Sequence, residues 1–179
     1  MKRGPNELIS SKTVYKNPWI TVHEDKIKRA NGQDGIYGIV EYSPGIAVVA
    51  VNEKNEIFLV KEYAYAIDEF NISLPSGGID SNESPLDAAK RELHEEAGVS
   101  ANEWIDLGFI NPYTMIINGP QYLFLAKGAI IDSQYEEEFE IIKVPFEEAY
   151  QMVLQSKINH AGSCVAILKA RDFLLNLKH

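Results

Sequence analysis

Short apolar runs bounded by turn residues occupy both sides of one polar helical stretch in the middle of this chain. The runs combine β-branched and aromatic residues, and they predict strands at WITVHEDKIK, GIYGIVEY, GIAVVAV, IFLVKEYAY, EWIDLGFI, QYLFLAKGAI and FEIIKVP. The polar residues NEKNE between two of these runs predict a hairpin. Apolar residues at helical spacing predict two helices near the C-terminal end, in PFEEAYQMVLQSK and HAGSCVAILKARDFLLNLKH.

The order of these elements is strands, one helix, more strands and then two helices. Strands and helices do not alternate regularly, so the order favours an α+β sandwich over a doubly wound sheet. A chain of 179 residues suits one compact domain with a substantial core. The sequence therefore predicts a single functional domain with a mixed β-sheet.

The central helix has recognisable signals at both ends. Ser84 is a good N-cap, Pro85 suits the first helical position, and Gly98 can adopt the left-handed conformation that ends a helix. The helix is therefore predicted over residues 85–97. Its apolar stripe comprises Leu86, Ala89, Leu93 and Ala97, whereas Ala88 is expected on the other face with the glutamates.

Glu92, Glu95 and Glu96 lie three and four residues apart, so their carboxylates share one helix face. Like charges at these spacings weaken an exposed helix, by about 0.2–0.5 kcal/mol per pair. Oxygen ligands grouped in this way suit a hard cation such as Mg²⁺, with Mn²⁺ as an alternative. The glycines of PSGG just before the helix allow close backbone approach. The alternative interpretation is a solvated acidic face without a metal.

Charge and cysteine content narrow the class of partner. A net charge of −9 argues against nucleic acid, although a bound cation would still allow a small anionic substrate. No stretch reaches the roughly 20 apolar residues that a membrane span requires. The single cysteine, Cys164, cannot form an internal disulfide, which fits a reducing compartment. We therefore expect a cytoplasmic protein with neither a nucleic acid nor a membrane partner.

The spacing of residues 77–99 resembles the complete Nudix box. Gly77 is followed after five residues by Glu83, and after seven more by the run RELHEEAGV at residues 91–99. The wider resemblance covers roughly residues 40–175. It implies an α/β/α sandwich with a mixed sheet, in which the box forms a loop, a helix and a second loop.

The resemblance also implies roles for individual residues. Glu92 and Glu96 correspond to the main Mg²⁺ ligands, and Glu95 to a further ligand or a water-activating group. The carbonyl oxygen of Ser76 stands where the family often supplies a backbone ligand.

Four further box positions are structural or supporting in the family. Arg91 and Glu83 resemble the pair that braces the loop against the helix, which places Arg91 in the catalytic machinery. Gly77 and Gly98 fill the fixed glycine positions of the box.

Within the family, the chain resembles the branch of ADP-ribose pyrophosphatases and nucleoside diphosphate sugar hydrolases. That branch often has a catalytic glutamate in an acidic C-terminal loop, which points to Glu137 or Glu138, with Glu136 as a less favoured choice; a solvated charge run is the alternative. The branch also implies that N-terminal strands, residues 1–40, contribute to the pocket and to a homodimer, while residues 41–179 form the Nudix domain.

Two positions depart from the pattern of that branch. Where the branch has the arginine of QYR, this chain has Ala64, and Ser73 replaces a glutamate before Leu-Pro. Trp19, Tyr63 and Tyr113 are candidates for stacking on a nucleobase, with packing aromatics as the alternative.

The resemblance implies a Mg²⁺-dependent pyrophosphohydrolase that cleaves a nucleoside diphosphate sugar, such as ADP-ribose, to a nucleoside monophosphate and a sugar phosphate. Alternatives with the same chemistry are a dinucleoside polyphosphate, NADH or an isoprenyl diphosphate as substrate. A Nudix-fold ligand sensor without catalysis, and a structural protein with a chance acidic helix, are alternatives of other classes.

Overall fold

The structure is a computed structural model that describes residues 1–135 and 139–176. Its chain contacts divide it into two compact units. The first unit contains residues 1–43 and 111–120, and the second contains residues 44–110 and 121–179. In the described part of the chain, no helix is long and apolar enough to cross a membrane.

The first unit is a five-stranded sheet. Its strands are β1 (Lys2–Arg3), β2 (Asn6–Lys16), β3 (Ile20–Lys28), β4 (Asp34–Tyr42) and β11 (Ile117–Asn118). They pair in the order β1-β2-β3-β4-β11. The first four strands form antiparallel neighbours, whereas β11 runs parallel to β4. Residues 111–120 therefore return to the N-terminal strands after a long excursion through the second unit.

The second unit holds the remaining strands and all three helices of the described residues. The strands are β5 (Gly45–Val51), β6 (Glu56–Ala64), β7 (Glu69–Ser73), β8 (Ser76–Gly78), β9 (Val99–Ser100), β10 (Glu103–Ile110), β12 (Gln121–Lys127), β13 (Ile130–Ile131) and β14 (Glu140–Pro145). The helices are α1 (Pro85–Ala97), α2 (Phe146–Leu154) and α3 (Ala161–Asn176).

The main sheet of this unit is mixed. Its strands pair in the order β10-β12-β5-β6-β14, while β7 pairs with β6 and β8 pairs with β5. The β12–β5 pair is parallel and the other pairs are antiparallel. Strands β9 and β13 form a separate two-stranded sheet. The predicted hairpin turn lies between β5 and β6, with Asn55 at a φ of 59°.

Both faces of the central strand β5 are buried, as expected for a strand between two helical layers. Its residues Ala47, Val49 and Val51 pack in a cluster with residues of α2 and α3. Ile46 and Val48 pack on the other face, in a second cluster with residues of α1. The second unit is therefore an α/β/α sandwich, and the predicted α+β class and mixed sheet are confirmed.

A buried hydroxyl joins α3 to the chain that enters the loop before α1. The side chain of Ser163 is fully buried, and its Oγ accepts a hydrogen bond of 3.0 Å from the backbone N–H of Leu74. His160 Nδ1 lies 2.9 Å from the same oxygen. Burial lowers the pKa of His160, so this ring is neutral at neutral pH. The pair anchors the start of the segment that leads to β8.

We expect Ser163→Ala to lower the free energy of unfolding by about 1–3 kcal/mol, because the buried N–H of Leu74 loses its acceptor. Urea denaturation of both proteins measures the change. Ser100→Ala, at an exposed position of β9, is the matched control and is expected to leave stability within about 0.5 kcal/mol. An equal effect of the two substitutions would contradict the anchoring role of Ser163.

Candidate active site

Local signals set both ends of the helix that carries the glutamates. Ser84 Oγ accepts a 3.2 Å hydrogen bond from the backbone N–H of Asp87, and Pro85 begins the helix. Gly98 ends it in the left-handed conformation, at φ 60° and ψ 25°, and its N–H donates to the carbonyl of His94 at 2.9 Å. The predicted span and both predicted caps agree with the structure.

The helix buries more of its surface than the sequence suggests. Ala89, Leu93 and Ala97 are fully buried against the sheet, as predicted, and Leu86 packs at the edge of the same cluster. Ala88, which helical spacing places on the glutamate face, is also fully buried. Strand β8 packs against the helix, with its Gly77 against Glu92 of the glutamate face.

The guanidinium of Arg91 binds three carboxylates and one carbonyl. Nε and Nη2 donate to the two carboxylate oxygens of Glu83 at 3.0 and 2.9 Å. Nη1 donates to Glu92 at 2.7 Å and to Glu95 at 3.0 Å, and Nη2 also donates to the carbonyl of Gly78 at 2.9 Å. These five bonds use all five donors of an arginine side chain. Arg91 thus ties the helix to the end of β8 and to the loop that follows it.

The ion pairs around Arg91 shift the pKa values of both partners. Hydrogen bonds from Arg91 are the main reason that the pKa of Glu83 lies below its ordinary value. The same bonds, first those to Glu83, raise the pKa of Arg91 further above its already high value. Glu83 also accepts a 3.1 Å hydrogen bond from the N–H of Asp80, so the carboxylate closes the loop on itself. Both groups therefore stay charged at neutral pH.

Gly77 lies directly against the carboxylate of Glu92. A Cβ atom at position 77 would overlap that carboxylate, whereas a Cβ at Gly78 would meet nothing within 4 Å. The side chain of Glu92 is only 13% exposed, so it lies between the helix and β8 rather than in solvent. The requirement for glycine at position 77 is therefore a requirement for the placement of Glu92.

Glu96 is the most strongly perturbed carboxyl group of the site. Its Oε2 accepts a 2.8 Å hydrogen bond from the backbone N–H of Ser76. Burial raises the pKa of Glu96 to about 8, and the negative charges of Glu92, Glu62 and Glu95 add to the rise. The hydrogen bond from Ser76 opposes the rise without cancelling it. The pKa of Glu96 thus lies above neutral pH, so this carboxyl group is largely protonated while no cation is bound.

These carboxylates fit a divalent metal ion by the chemistry of their donors. Glu92, Glu95 and Glu96 offer only oxygen, which hard cations prefer. A cation would favour the ionised form of Glu96, which burial and the neighbouring carboxylates disfavour. As placed, no three acidic, histidine or cysteine side chains of the described residues form a ready-made metal cluster. Arg91 holds Glu92 and Glu95 in this arrangement.

The three predicted stacking aromatics are divided between the two units of the structure. Trp19 and Tyr113 are exposed and belong to the first unit, whereas the glutamate helix belongs to the second. Tyr63 lies near the end of β6, where its ring contacts Phe70 edge-on and its hydroxyl donates to Asp68. Their roles as substrate contacts stay predictions.

The acidic residues Glu137 and Glu138, together with Glu136, lie outside the described residues. The residue before them, Tyr135, donates a 2.7 Å hydrogen bond from its hydroxyl to the carbonyl oxygen of Glu95. A Cβ at Gly98 would overlap the Tyr135 ring, so this ring and the positive φ both require glycine there. The sequence did not single out Tyr135, whose hydroxyl binds Glu95, or Glu62, whose charge acts on Glu96, because both are distant from the helix in the chain.

Comparisons with known proteins agree with this geometry. Residues 7–40 match the model of the nucleoside diphosphate sugar hydrolase N-terminal domain. Residues 41–161, more than half of the chain, match the model of the NUDIX domain. The chain belongs to the Nudix family. Nudix hydrolases generally require a divalent metal ion, which accords with the oxygen donors of α1.

Relatives match this Nudix protein over most of their length. The methanol dehydrogenase activator of Bacillus methanolicus is 25% identical over 171 residues, 90% of each chain. The ADP-ribose pyrophosphatase of Bacillus subtilis (strain 168) is 24% identical over 175 residues, 93% of each chain. The crystal structure of an ADP compounds hydrolase aligns with a TM-score of 0.83 at 20% identity, covering 99% of this chain and 98% of that one, which shows the fold.

These findings confirm several predictions made from the sequence. The resemblance to the Nudix family and to its nucleoside diphosphate sugar hydrolase branch is confirmed. The chain is a Nudix hydrolase that acts on phosphoanhydride bonds, so the alternatives of a ligand sensor and of a structural protein are set aside.

We expect Gly77→Ala in this Nudix box to lower hydrolytic activity by roughly 10- to 100-fold, because the new Cβ displaces the Glu92 carboxylate. The atoms that the new Cβ would meet are the carboxylate at the end of the flexible Glu92 side chain, which can move, so we expect the variant to fold. Gly78→Ala is the matched control and should retain activity. Turnover and melting temperature, measured on both variants, separate the two effects. Equal activity of the two variants would contradict the proposed contact.

Arg91→Lys should reduce divalent-cation affinity and turnover by about 10- to 100-fold, because an ammonium with three donors cannot replace the five-donor fork. The same substitution at Arg171, which forms a paired contact with Glu147 at 3.1 Å on α2, is the matched control. Calorimetric titration with Mn²⁺ measures the affinity of each variant. Unchanged Mn²⁺ affinity in Arg91→Lys would show that the hydrogen bonds of Arg91 do not determine the placement of the metal-binding carboxylates.

Proposed function

We propose that this Nudix hydrolase is a Mg²⁺-dependent pyrophosphohydrolase of a nucleoside diphosphate sugar, with an ADP-ribose-like compound as substrate. The observation that carries the proposal is the complete box, in which Arg91 holds Glu83 and Glu92 while Glu96 binds the backbone of Ser76. The names of the relatives, an ADP-ribose pyrophosphatase and an ADP compounds hydrolase, support the substrate class. Mn²⁺ is the alternative cation.

The residues of α1 and β8 would hold the cation. We assign this role to Glu92, Glu95 and Glu96, with the carbonyl oxygen of Ser76 as a backbone ligand. When bound, a divalent cation neutralises phosphate oxygens and lowers the pKa of a water molecule. The N–H of Ser76 keeps the Glu96 carboxylate turned towards β8, where the loop and the helix meet.

A carboxylate would accept the proton of the attacking water. The candidates are Glu95, whose side chain is 55% exposed, and Glu137 and Glu138 in the acidic run that follows Tyr135. Water adds to one phosphorus of the diphosphate, and the bond to the bridging oxygen breaks. The products are a nucleoside monophosphate and a sugar phosphate.

The N-terminal residues 1–40 would supply part of the nucleotide pocket and the contacts of a homodimer. Trp19 and Tyr113 in the first unit, and Tyr63 in the second, are the proposed aromatic contacts of the substrate. The match of residues 7–40 to the nucleoside diphosphate sugar hydrolase N-terminal domain supports a shared role for this segment. Sedimentation and substrate titration of Trp19→Ala would test the two roles separately.

The central test is hydrolysis of ADP-ribose, GDP-mannose, UDP-glucose, ADP-glucose, NADH and a diadenosine polyphosphate, each with and without Mg²⁺. We expect turnover of at least one sugar nucleotide, only with the cation present. Glu96→Gln should lower it by about 100-fold or more, because the variant loses a charged ligand but keeps the shape of the side chain.

Controls make each outcome decisive. Glu53→Gln, in the turn between β5 and β6, removes the same charge and should retain turnover. Release of a nucleoside monophosphate identifies the broken bond. Turnover of NADH or the diadenosine compound alone would favour those alternative substrates, and turnover that survives in Glu96→Gln would contradict the assigned site.

A further inference from the structure

Strand β6 directs Glu62 to the sheet face that α1 covers. Along this strand, Phe58 belongs to the cluster with α1, whereas Ile57 and Leu59 belong to the cluster with α2 and α3. The ladders of β6 with β14 and with β7 continue without a register shift through Ala64. Because successive side chains of a strand alternate between faces, Glu62 lies on the same face as Phe58.

On that face Glu62 approaches Glu96 from the side of the sheet. Strand β7 pairs with β6 and places Ser73 opposite Val60, which lies on the same face of β6 as Glu62. Ser76 follows Ser73 by three residues, and the charge of Glu62 adds to the rise in the pKa of Glu96 that burial mainly causes. The backbone N–H of Ser76 fixes Glu96 at β8, which pairs with β5 of the same sheet. Glu62 is therefore close to the site through its strand, independently of the box.

No residue in the described part of the chain forms an ion pair with the carboxylate of Glu62. Among the described residues it forms no side-chain hydrogen bond and no ion pair, and it is exposed to solvent. The neighbouring Lys61 lies on the opposite face and pairs with Glu140 at 2.8 Å. Ala64, two residues along the same face as Glu62, carries no charge. The carboxylate is thus free to meet a cation held by α1.

We propose that Glu62 is a further carboxylate of the divalent-cation site, supplied by β6 in addition to the three glutamates of α1. This inference rests on the proposed function, which places the cation at Glu92 and Glu96. It gives the site acidic groups on two elements, so the cation is held between helix and sheet. On the sheet side of the site, Glu62 carries a negative charge and Ala64 has no guanidinium, so an anionic substrate finds no positive side chain at these two positions of β6.

The test is Mn²⁺ binding without substrate, measured by calorimetry and by electron paramagnetic resonance. We expect Glu62→Gln to weaken Mn²⁺ affinity by about 10-fold. The matched control Glu53→Gln removes the same charge from an exposed turn and should keep the affinity of the wild type. Melting temperatures without metal should be alike in all three proteins, because Glu62 is exposed and has no partner to lose.

A double-mutant cycle makes the test specific to this face of β6. Ala64→Arg places a cation one strand repeat, about 7 Å, from Glu62 and should also weaken Mn²⁺ binding. In the Glu62→Gln background, Ala64→Arg should weaken it less, because the guanidinium has lost the carboxylate with which it pairs. Independent effects of the two changes would count against Glu62.

Glu96→Gln separates the two possible failures. If Glu96→Gln weakens Mn²⁺ binding while Glu62→Gln leaves it unchanged, the role of Glu62 is overturned and the proposed function stands. If neither substitution changes the affinity, the cation is not held at α1, and both proposals fail.

Discussion

The contact on which the rest of the site depends is the five-fold hydrogen bonding of Arg91. One guanidinium joins Glu83 in the loop, the carbonyl of Gly78 on β8, and Glu92 and Glu95 on the helix. Without it, Glu92 would be a nearly buried carboxylate with no counter-charge, which is far more costly than an exposed one. The arginine therefore allows several like charges to share a small volume before any metal binds.

The sheet makes this contact effective because it holds the loop in place. Residues Gly45–Ala47 of β5 pair with β8, and the N–H of Val48 donates to the carbonyl of Pro75 at 2.9 Å. Ser163 of α3 fixes Leu74 from the other layer of the sandwich. Because the sheet and α3 both anchor this loop, it loses little further conformational entropy when a ligand binds. The loop is therefore preorganised for binding.

The parts that could be predicted from the sequence are those governed by local rules. The span of α1 follows from Ser84, Pro85 and Gly98, which act within one turn of the helix ends. Contacts between distant segments have no such signal: Ser163 and Leu74 are 89 residues apart, and Tyr135 reaches Glu95 across 40. The burial of Ala88 has no local signal for the same reason, since helical periodicity assigns a residue to a face but does not show what covers that face.

The excess of negative over positive side chains explains why the Nudix box attracts a cation more readily than it attracts a diphosphate. Glu83, Glu92 and Glu95 bind Arg91, whose donors are all occupied by the protein itself. The negative charges of Glu62, Glu92 and Glu95 also act on Glu96. No N–H of that guanidinium is left to bind a phosphate oxygen, and Ala64 adds no positive charge on the sheet face. An anionic substrate therefore meets a negative surface until divalent cations reverse its sign. The excess of carboxylates makes the metal-free site costly, and the same excess favours the binding of a divalent cation.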